Sequence, residues 1–419
     1  MSKHKLLFTL IIIGVAFFVI GFGVGINSIM VPVLEGAFNL SKGMSYLVLT
    51  ATYSAFLLFG GPSGWLIKKA GYKKSLILAL FIMSLGMLLF IPSAKMGSSM
   101  SGFYLFLIAT FIGGIGNTLL QTTINPFVTI CGPIENTARR MCVMGILNKS
   151  AWYLGPLFLS LFIDVRQPDI TQAAIPFGIA AATIALFALS MFMISFPEIT
   201  AKGESETGED MQDEFIIAAN RKTSVWQFPH LVLGAITLFI YMGVETLSMA
   251  SAIDFANATG LDNPEQYSAF VPLGLVVGCV VCVFLLQWMS QTRAMVWFVL
   301  IALVSSILLI TLPAKSAIYF LSGLGFAHPV MWGAIWGVAI DRLGKFTKSG
   351  ASLMVVAIVG GAILPLIFGF ILDAITPAGK VASACDFQKA YRLFIPCYLF
   401  ILYYALAGYK AGFKSKNPQ

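Results

Sequence analysis

Charge is what this 419-residue chain has least of. Lysine and arginine number 26, aspartate and glutamate 18, and charged residues make up 11% of the sequence, against about 25% in an ordinary soluble domain. That is too few ionic side chains to cover a water-facing surface, and 58% of the residues are hydrophobic. A soluble globular fold is therefore excluded. Histidine is scarcer still, at three, and no metal-ligand spacing occurs. Nor does a nucleophile stand at a fixed spacing from a base. The polar residues suit binding rather than catalysis, and no enzymatic function is expected. The six cysteines are scattered, mostly within apolar runs. Cys279 and Cys282 form a C-x-x-C with no histidine nearby, a setting in which thiols act as small packing residues. No small-residue cleavage site follows the apolar run that starts at Leu6, so this run is expected to stay as a span rather than be removed as a signal.

What the chain has instead is apolar length. A span needs roughly 20 apolar residues, and twelve such runs occur, at 6–33, 44–67, 75–93, 102–130, 141–164, 173–196, 228–255, 267–289, 294–312, 316–341, 349–374 and 388–412. The longest connection, 197–227, carries Glu204, Glu206, Glu209, Asp210, Asp213 and Glu214 before Arg221 and Lys222. It divides the spans six and six. The expected fold is an all-α membrane protein of twelve transmembrane helices in two six-helix halves, 1–196 and 228–419, joined by a central loop. This layout resembles the major facilitator architecture, in which the substrate site lies near the bilayer midplane between the halves.

Basic residues orient the spans. The side holding the N-terminus, the central loop and the C-terminus carries 18 lysines and arginines, the other side carries 7, and Lys149 lies inside a span. Both termini are therefore expected in the cytoplasm. The net charge of +8 follows from this asymmetry and requires no nucleic-acid partner. The expected surroundings are a lipid bilayer, and the chain is expected to act as a monomer. The loop between spans 2 and 3 runs from Gly64 through Lys68, Lys69, Gly71, Lys73 and Lys74. It resembles the cytoplasmic loop signature of major facilitator proteins, without the usual acidic residue. It reads either as a basic anchor with a tight turn at Gly71 or as a gating contact.

Polar groups inside hydrocarbon are costly, charged ones by about 2.5–3.5 kcal/mol at a helix centre on insertion scales, so those that remain point to cavities or pairs. Span 4 carries Asn117, Gln121 and Asn125 at i, i+4 and i+8, on one helix face. Amides both donate and accept, and so suit neutral hydroxyls; interhelical bonding is the alternative. Pro126 follows and removes an N–H. Span 5 carries Asn148 and Lys149, the lysine too deep to reach water easily. It must face a cavity, pair with a carboxylate or lose its proton. Span 7 carries Tyr241, Glu245 and Ser248 on one face. Glu245 is the carboxylate nearest the middle of a span; with Lys149 it could bridge the halves in one conformation and release in another. Asp254 lies nearer an outer end. Span 10 carries His328, Trp332 and Trp336 at i, i+4 and i+8, an aromatic stripe suited to stacking on a sugar ring or to helix packing. His328 is read as a hydrogen-bonded polar residue rather than a ligand. Gly21, Gly23 and Gly25 with Asn27, Ser28 and Pro32 in span 1, and Gly360, Gly361 and Pro365 in span 11, permit close approach or a bend.

Several of these runs resemble one family. Gln121-Thr-Thr-Ile-Asn125-Pro126-Phe-Val-Thr-Ile-Cys-Gly132-Pro133 is similar to the N-P-F-V-T-x-x-G-P stretch of the fucose permease and glucose/galactose transporter family. Asn27-Ser28-Ile-Met-Val-Pro32, Arg140 with Asn148, and Leu343-Gly344 through Pro365 resemble its first, fifth and tenth-to-eleventh helices. The resemblance implies import of a neutral hexose or 6-deoxyhexose across a bacterial inner membrane, driven by a co-transported ion. Asn27, Gln121, Asn125, Asn148 and Lys149 would line one half of the site, and Tyr241, Glu245, Trp332 and Trp336 the other. Lys149 and Glu245 are the candidates for coupling or gating. No cofactor is implied beyond a co-transported proton or sodium ion. Ser28 and Gln121 replace the Asp and Glu that carry the proton in the proton-coupled fucose permease, and Gly333 replaces a proline of the family's span 10. Two other outcomes stay open: an anionic sugar, a uronate or sialic acid, with Lys149 as its counter-ion, and an uncoupled uniporter.

Overall fold

The computed structural model describes residues 3–38, 47–163, 170–194, 196–198, 214–377 and 380–412. Side chains of 27–29 are among those not described, as are the central-loop acids Glu204 to Asp213 and the basic residues Lys42, Arg166, Lys202, Lys414 and Lys416. Among the described residues the structure is helical, with no strand.

Nine helices among these residues are long and apolar enough to cross a membrane, and their arrangement yields twelve spans. Spans 2 and 3 form one helical run, Leu47–Lys95, broken by non-helical backbone at Gly71 (φ 82°, ψ 174°). Span 5, Thr137–Ser160, is less apolar, with Asn148, Lys149 and Ser150 at its centre, and lies outside the nine. Span 12 is divided into Ala384–Ala390 and Phe394–Leu406 by a short 3-10 turn. Span 1 is Lys3–Phe38 and span 4 is Met100–Ile130. Spans 6 to 10 are Ala174–Met193, Pro229–Ala250, Phe270–Leu285, Gln291–Thr311 and Phe320–Ala339. Span 11 comprises Thr347–Ala357 and Gly360–Ile375. A short helix, Glu214–Asn220, precedes span 7.

The chain forms two compact units. One contains 1–131, 144–199 and 351–356; the other contains 132–143, 200–350 and 357–419. In the first, spans 1 and 5 close on one another through glycine. A Cβ at Gly21 would collide with the carbonyl of Asn148, one at Gly25 with that of Trp152, and one at Gly155 would come 2.9 Å from Phe22 O. Lipid tails are as apolar as leucine, so helices in a membrane associate by close packing, which small residues permit. In the second unit Gly360 of span 11 meets the backbone of Phe239 in span 7 in the same way.

Long-range hydrogen bonds hold segments together within each unit. Ser352 Oγ of span 11 donates to the Gly60 carbonyl of span 2. The Ala138 N–H of span 5 donates to Gln291 Oε1, at the start of span 9, at 3.2 Å.

Candidate functional site

The three amides of span 4 divide in use. Gln121 Nε2 donates to Asn117 Oδ1 at 3.2 Å, so the i, i+4 spacing becomes a bond along the helix. Asn125 is 0% exposed, and neither its Oδ1 nor its Nδ2 has a hydrogen-bond partner among the described residues. A buried polar group left unsatisfied costs about 1–3 kcal/mol. Its donor and acceptor are thus unused among the described residues.

Span 5 uses its two polar residues differently. Asn148 Nδ2 donates to the Phe17 carbonyl at 2.8 Å, which ties span 5 to span 1 at the glycine seam. Lys149 directs Nζ over the Trp152 ring, 4.6 Å from its centroid. Both side chains are half-buried, and an ammonium over an indole face gains about 0.5–2 kcal/mol. Asn27 lies on span 1, with its side chain outside those described.

In the second unit, the polar residues of spans 7 and 10 meet. Glu245 is 3% exposed and lies one helical turn after Tyr241 on the same face of span 7. Ser248 Oγ donates to the Glu245 carbonyl at 2.8 Å. Tyr241 stands edge-on to His328 at 5.7 Å between centroids and tilted against Trp332 at 6.1 Å. Trp332 in turn lies 5.9 Å from Trp336. The tryptophans differ in access: Trp332 is half-buried, while Trp336 is 0% exposed and its Nε1 has no hydrogen-bond partner among the described residues. Pro329 lies inside span 10, four residues before Gly333, so the helix has a break in its hydrogen-bond ladder despite the glycine at the family's proline position.

Sequence reasoning missed Tyr398 of span 12. Its hydroxyl and His328 Nε2 are 2.8 Å apart and their rings stack at 27°. A signal was available: Tyr391, Phe394 and Tyr398 form a buried aromatic stripe of the same kind as the one in span 10. Glu198, which follows span 6, was also missed. Its carboxylate accepts from the Tyr72 and Lys73 N–H groups at 2.9 and 3.2 Å, supplying at the loop signature the acid that the loop itself lacks.

Cys279 and Cys282 are buried and unbridged on span 8. Cys142 of span 5 packs nearby, its Sγ 3.9 Å from the Pro329 carbonyl. Among the described residues no group of three or more His, Cys, Asp or Glu is arranged to hold a metal ion.

Comparison with known proteins agrees with this architecture. A glucose/galactose transporter of Brucella abortus is 28% identical over 98% of this chain and 96% of its own length. A putative glucose/galactose transporter of Helicobacter pylori is 29% identical over 94% of this chain and 95% of its own. The L-fucose-proton symporter of Escherichia coli is 25% identical over 86% and 85%. The crystal structure of the transporter FucP in the outward conformation shares the fold, with a TM-score of 0.77 at 21% identity, covering 96% of this chain and 98% of that one. The family model of the Major Facilitator Superfamily matches residues 13–369. Paired six-span sequence halves, the Gly71 loop and a family match across most of the length lead to one conclusion: this chain is a member of the Major Facilitator Superfamily, a multi-pass membrane transporter.

Proposed function

We propose that the chain is a secondary transporter that carries a neutral monosaccharide, a hexose or 6-deoxyhexose, across the bacterial inner membrane by alternating access. The observation that carries this reading is the second unit's cluster. There a half-buried indole, Trp332, stands beside Tyr241, one helical turn before the buried Glu245 on span 7. An aromatic face next to a carboxylate suits a pyranose, which presents C–H groups on one face and hydroxyls at its edge. The Asn125 amide and Gln121 offer further hydroxyl partners, and Lys149 a fixed donor. Asn27 and Asn148 belong to the same proposed set, and Lys149 and Glu245 are its coupling or gating residues. The names of the similar proteins, glucose/galactose transporters and L-fucose-proton symporters, point to the same substrate class. Both termini are proposed to lie in the cytoplasm, on the side richer in lysine and arginine, and the transporter to act as a monomer.

The test is counterflow in proteoliposomes preloaded with unlabelled D-glucose, D-galactose or L-fucose. Transient accumulation of labelled sugar is expected with at least one of them. Competition by a uronate or sialic acid, with none by neutral sugars, would replace this reading by an anionic substrate held by Lys149.

A further inference from the structure

Lys149 lies near the middle of span 5 and one turn before Trp152, a spacing that puts the two side chains on one helix face. Its Nζ stands 4.6 Å from the centroid of the indole, and both side chains are half-buried. The backbone that carries this ring is fixed against span 1. Asn148 Nδ2 donates to the Phe17 carbonyl at 2.8 Å. A Cβ at Gly25 would collide with the Trp152 carbonyl, and one at Gly155 would lie 2.9 Å from Phe22 O. One turn further on, Phe158 packs on Phe22 at 5.4 Å between centroids. Span 5 is thus clamped along span 1 on both sides of Trp152, within the first unit, and the ring is presented from a segment with little room to shift.

A ring held over an ammonium in this way has a definite use. A charge within a membrane is costly unless its surroundings favour it. An indole face does so through its quadrupole, which attracts the cation without cancelling its charge. An ammonium has three N–H donors, and contact with a ring face does not by itself prevent it from donating to a ligand oxygen. The lysine stem is also flexible. A ring that narrows its freedom before a ligand arrives lowers the ordering cost of binding, which is preorganisation.

Resting on the sugar-transport reading above, in which Lys149 donates to the sugar, we propose that Trp152 is a positioning residue of the first unit: its indole aims the Lys149 ammonium and so sets how tightly the transporter holds its sugar. The pair presents donors and a positive charge but no acceptor, so it favours ligand oxygens that accept, the hydroxyl and ring oxygens of a neutral sugar. Trp152 acts through Lys149, which occupies a face of its ring. In this it differs from Trp332, whose half-buried ring is offered to the sugar itself.

The test uses the full chain in proteoliposomes, with affinities taken from the concentration dependence of counterflow with D-glucose, D-galactose or L-fucose. Trp152→Leu is expected to weaken affinity about tenfold, the scale of one cation–π contact. Trp152→Phe keeps an aromatic face and is expected to lose less; it replaces the leucine variant in every comparison if that variant does not fold. Lys149→Gln is expected to lose at least as much as Trp152→Leu, and adding Trp152→Leu to Lys149→Gln is expected to cost nothing more, because the ring acts only through the ammonium. Lys149→Arg, whose guanidinium also stacks on an indole, is expected to stay near wild-type affinity. A purely structural role for Trp152, or direct stacking of the sugar on it, would weaken affinity in the Lys149→Gln background as well and would overturn the proposal. Unchanged affinity in Trp152→Leu would also overturn it. Absence of wild-type counterflow with every sugar would instead defeat the substrate reading. The pair then remains measurable without sugar, through the emission of Trp152, taken as the difference between wild type and Trp152→Phe. That emission is expected to shift when Lys149→Gln removes the charge over the ring, and an unchanged emission would overturn the proposal whatever the substrate.

Discussion

Glu198 and Gly71 share one corner of the first unit. The carboxylate closes over the glycine and accepts from the next two backbone N–H groups, and a Cβ at residue 71 would lie 2.6 Å from Glu198 Oε1. The bonds fall on the first turn of span 3, where unsatisfied N–H groups and the helix dipole favour an anion. Behind them Tyr72 packs edge-on against Phe127 at 5.5 Å, and Phe127 against Phe196 at 4.9 Å. The end of span 6 is thereby fastened to the turn between spans 2 and 3.

Gly71→Ala is expected to destabilise this corner by about 1–3 kcal/mol, because φ 82° with ψ 174° is a region open in practice only to glycine. Thermal unfolding followed by fluorescence-detected size exclusion should show a lower midpoint than wild type. Glu198→Ala should lower it as well, and the double variant by less than the sum, since both changes disrupt one contact. Additive shifts would mean that the two positions are uncoupled.

At the seam of spans 1 and 5, Gly21→Val is expected to prevent recovery of folded protein, since its side chain would have to displace the Asn148 backbone. Asn148→Ala removes the bond to Phe17 O and should cost about 0.5–1.5 kcal/mol. An unchanged unfolding midpoint together with a weakened sugar affinity would assign Asn148 to substrate and not to the seam.

Asn125 behaves differently on removal. Its amide has no hydrogen-bond partner among the described residues, so Asn125→Leu should leave stability unchanged or raise it by about 1–3 kcal/mol, the desolvation cost removed. If the amide binds a sugar hydroxyl, the same variant loses counterflow while its unfolding midpoint holds or rises. A lower midpoint would show that the buried amide has a structural partner in the working protein.

Trp332 and Trp336 should separate in binding. Trp332→Ala removes the accessible ring and is expected to weaken sugar binding by about tenfold, near 1.4 kcal/mol, the scale of one aromatic contact. Trp336→Phe should change affinity little and act mainly on stability, because that ring is buried. Titration of tryptophan fluorescence with sugar measures both; equal losses would mean the two rings form a single wall.

The spans are readable from the sequence because hydrophobic length is a local property: no contact between distant residues is needed to require about 20 apolar residues per crossing. For the same reason the order of residues alone reveals the turn at Gly71 and the concentration of polar residues on spans 4, 5, 7 and 10. What each polar residue does is decided by tertiary packing. Asn117, Gln121 and Asn125 form one regular pattern in sequence, yet two bond each other and the third has no hydrogen-bond partner among the described residues. Asn148 has the character of a sugar ligand, and it donates to a backbone carbonyl 131 positions away. His328 finds its partner in Tyr398, and the loop signature its missing acid in Glu198. The contacts of Asn148, His328 and Glu198 depend on which segments lie within about 3 Å of one another, a distance set by glycine seams and side-chain volumes, and one helix read alone carries no record of its neighbours.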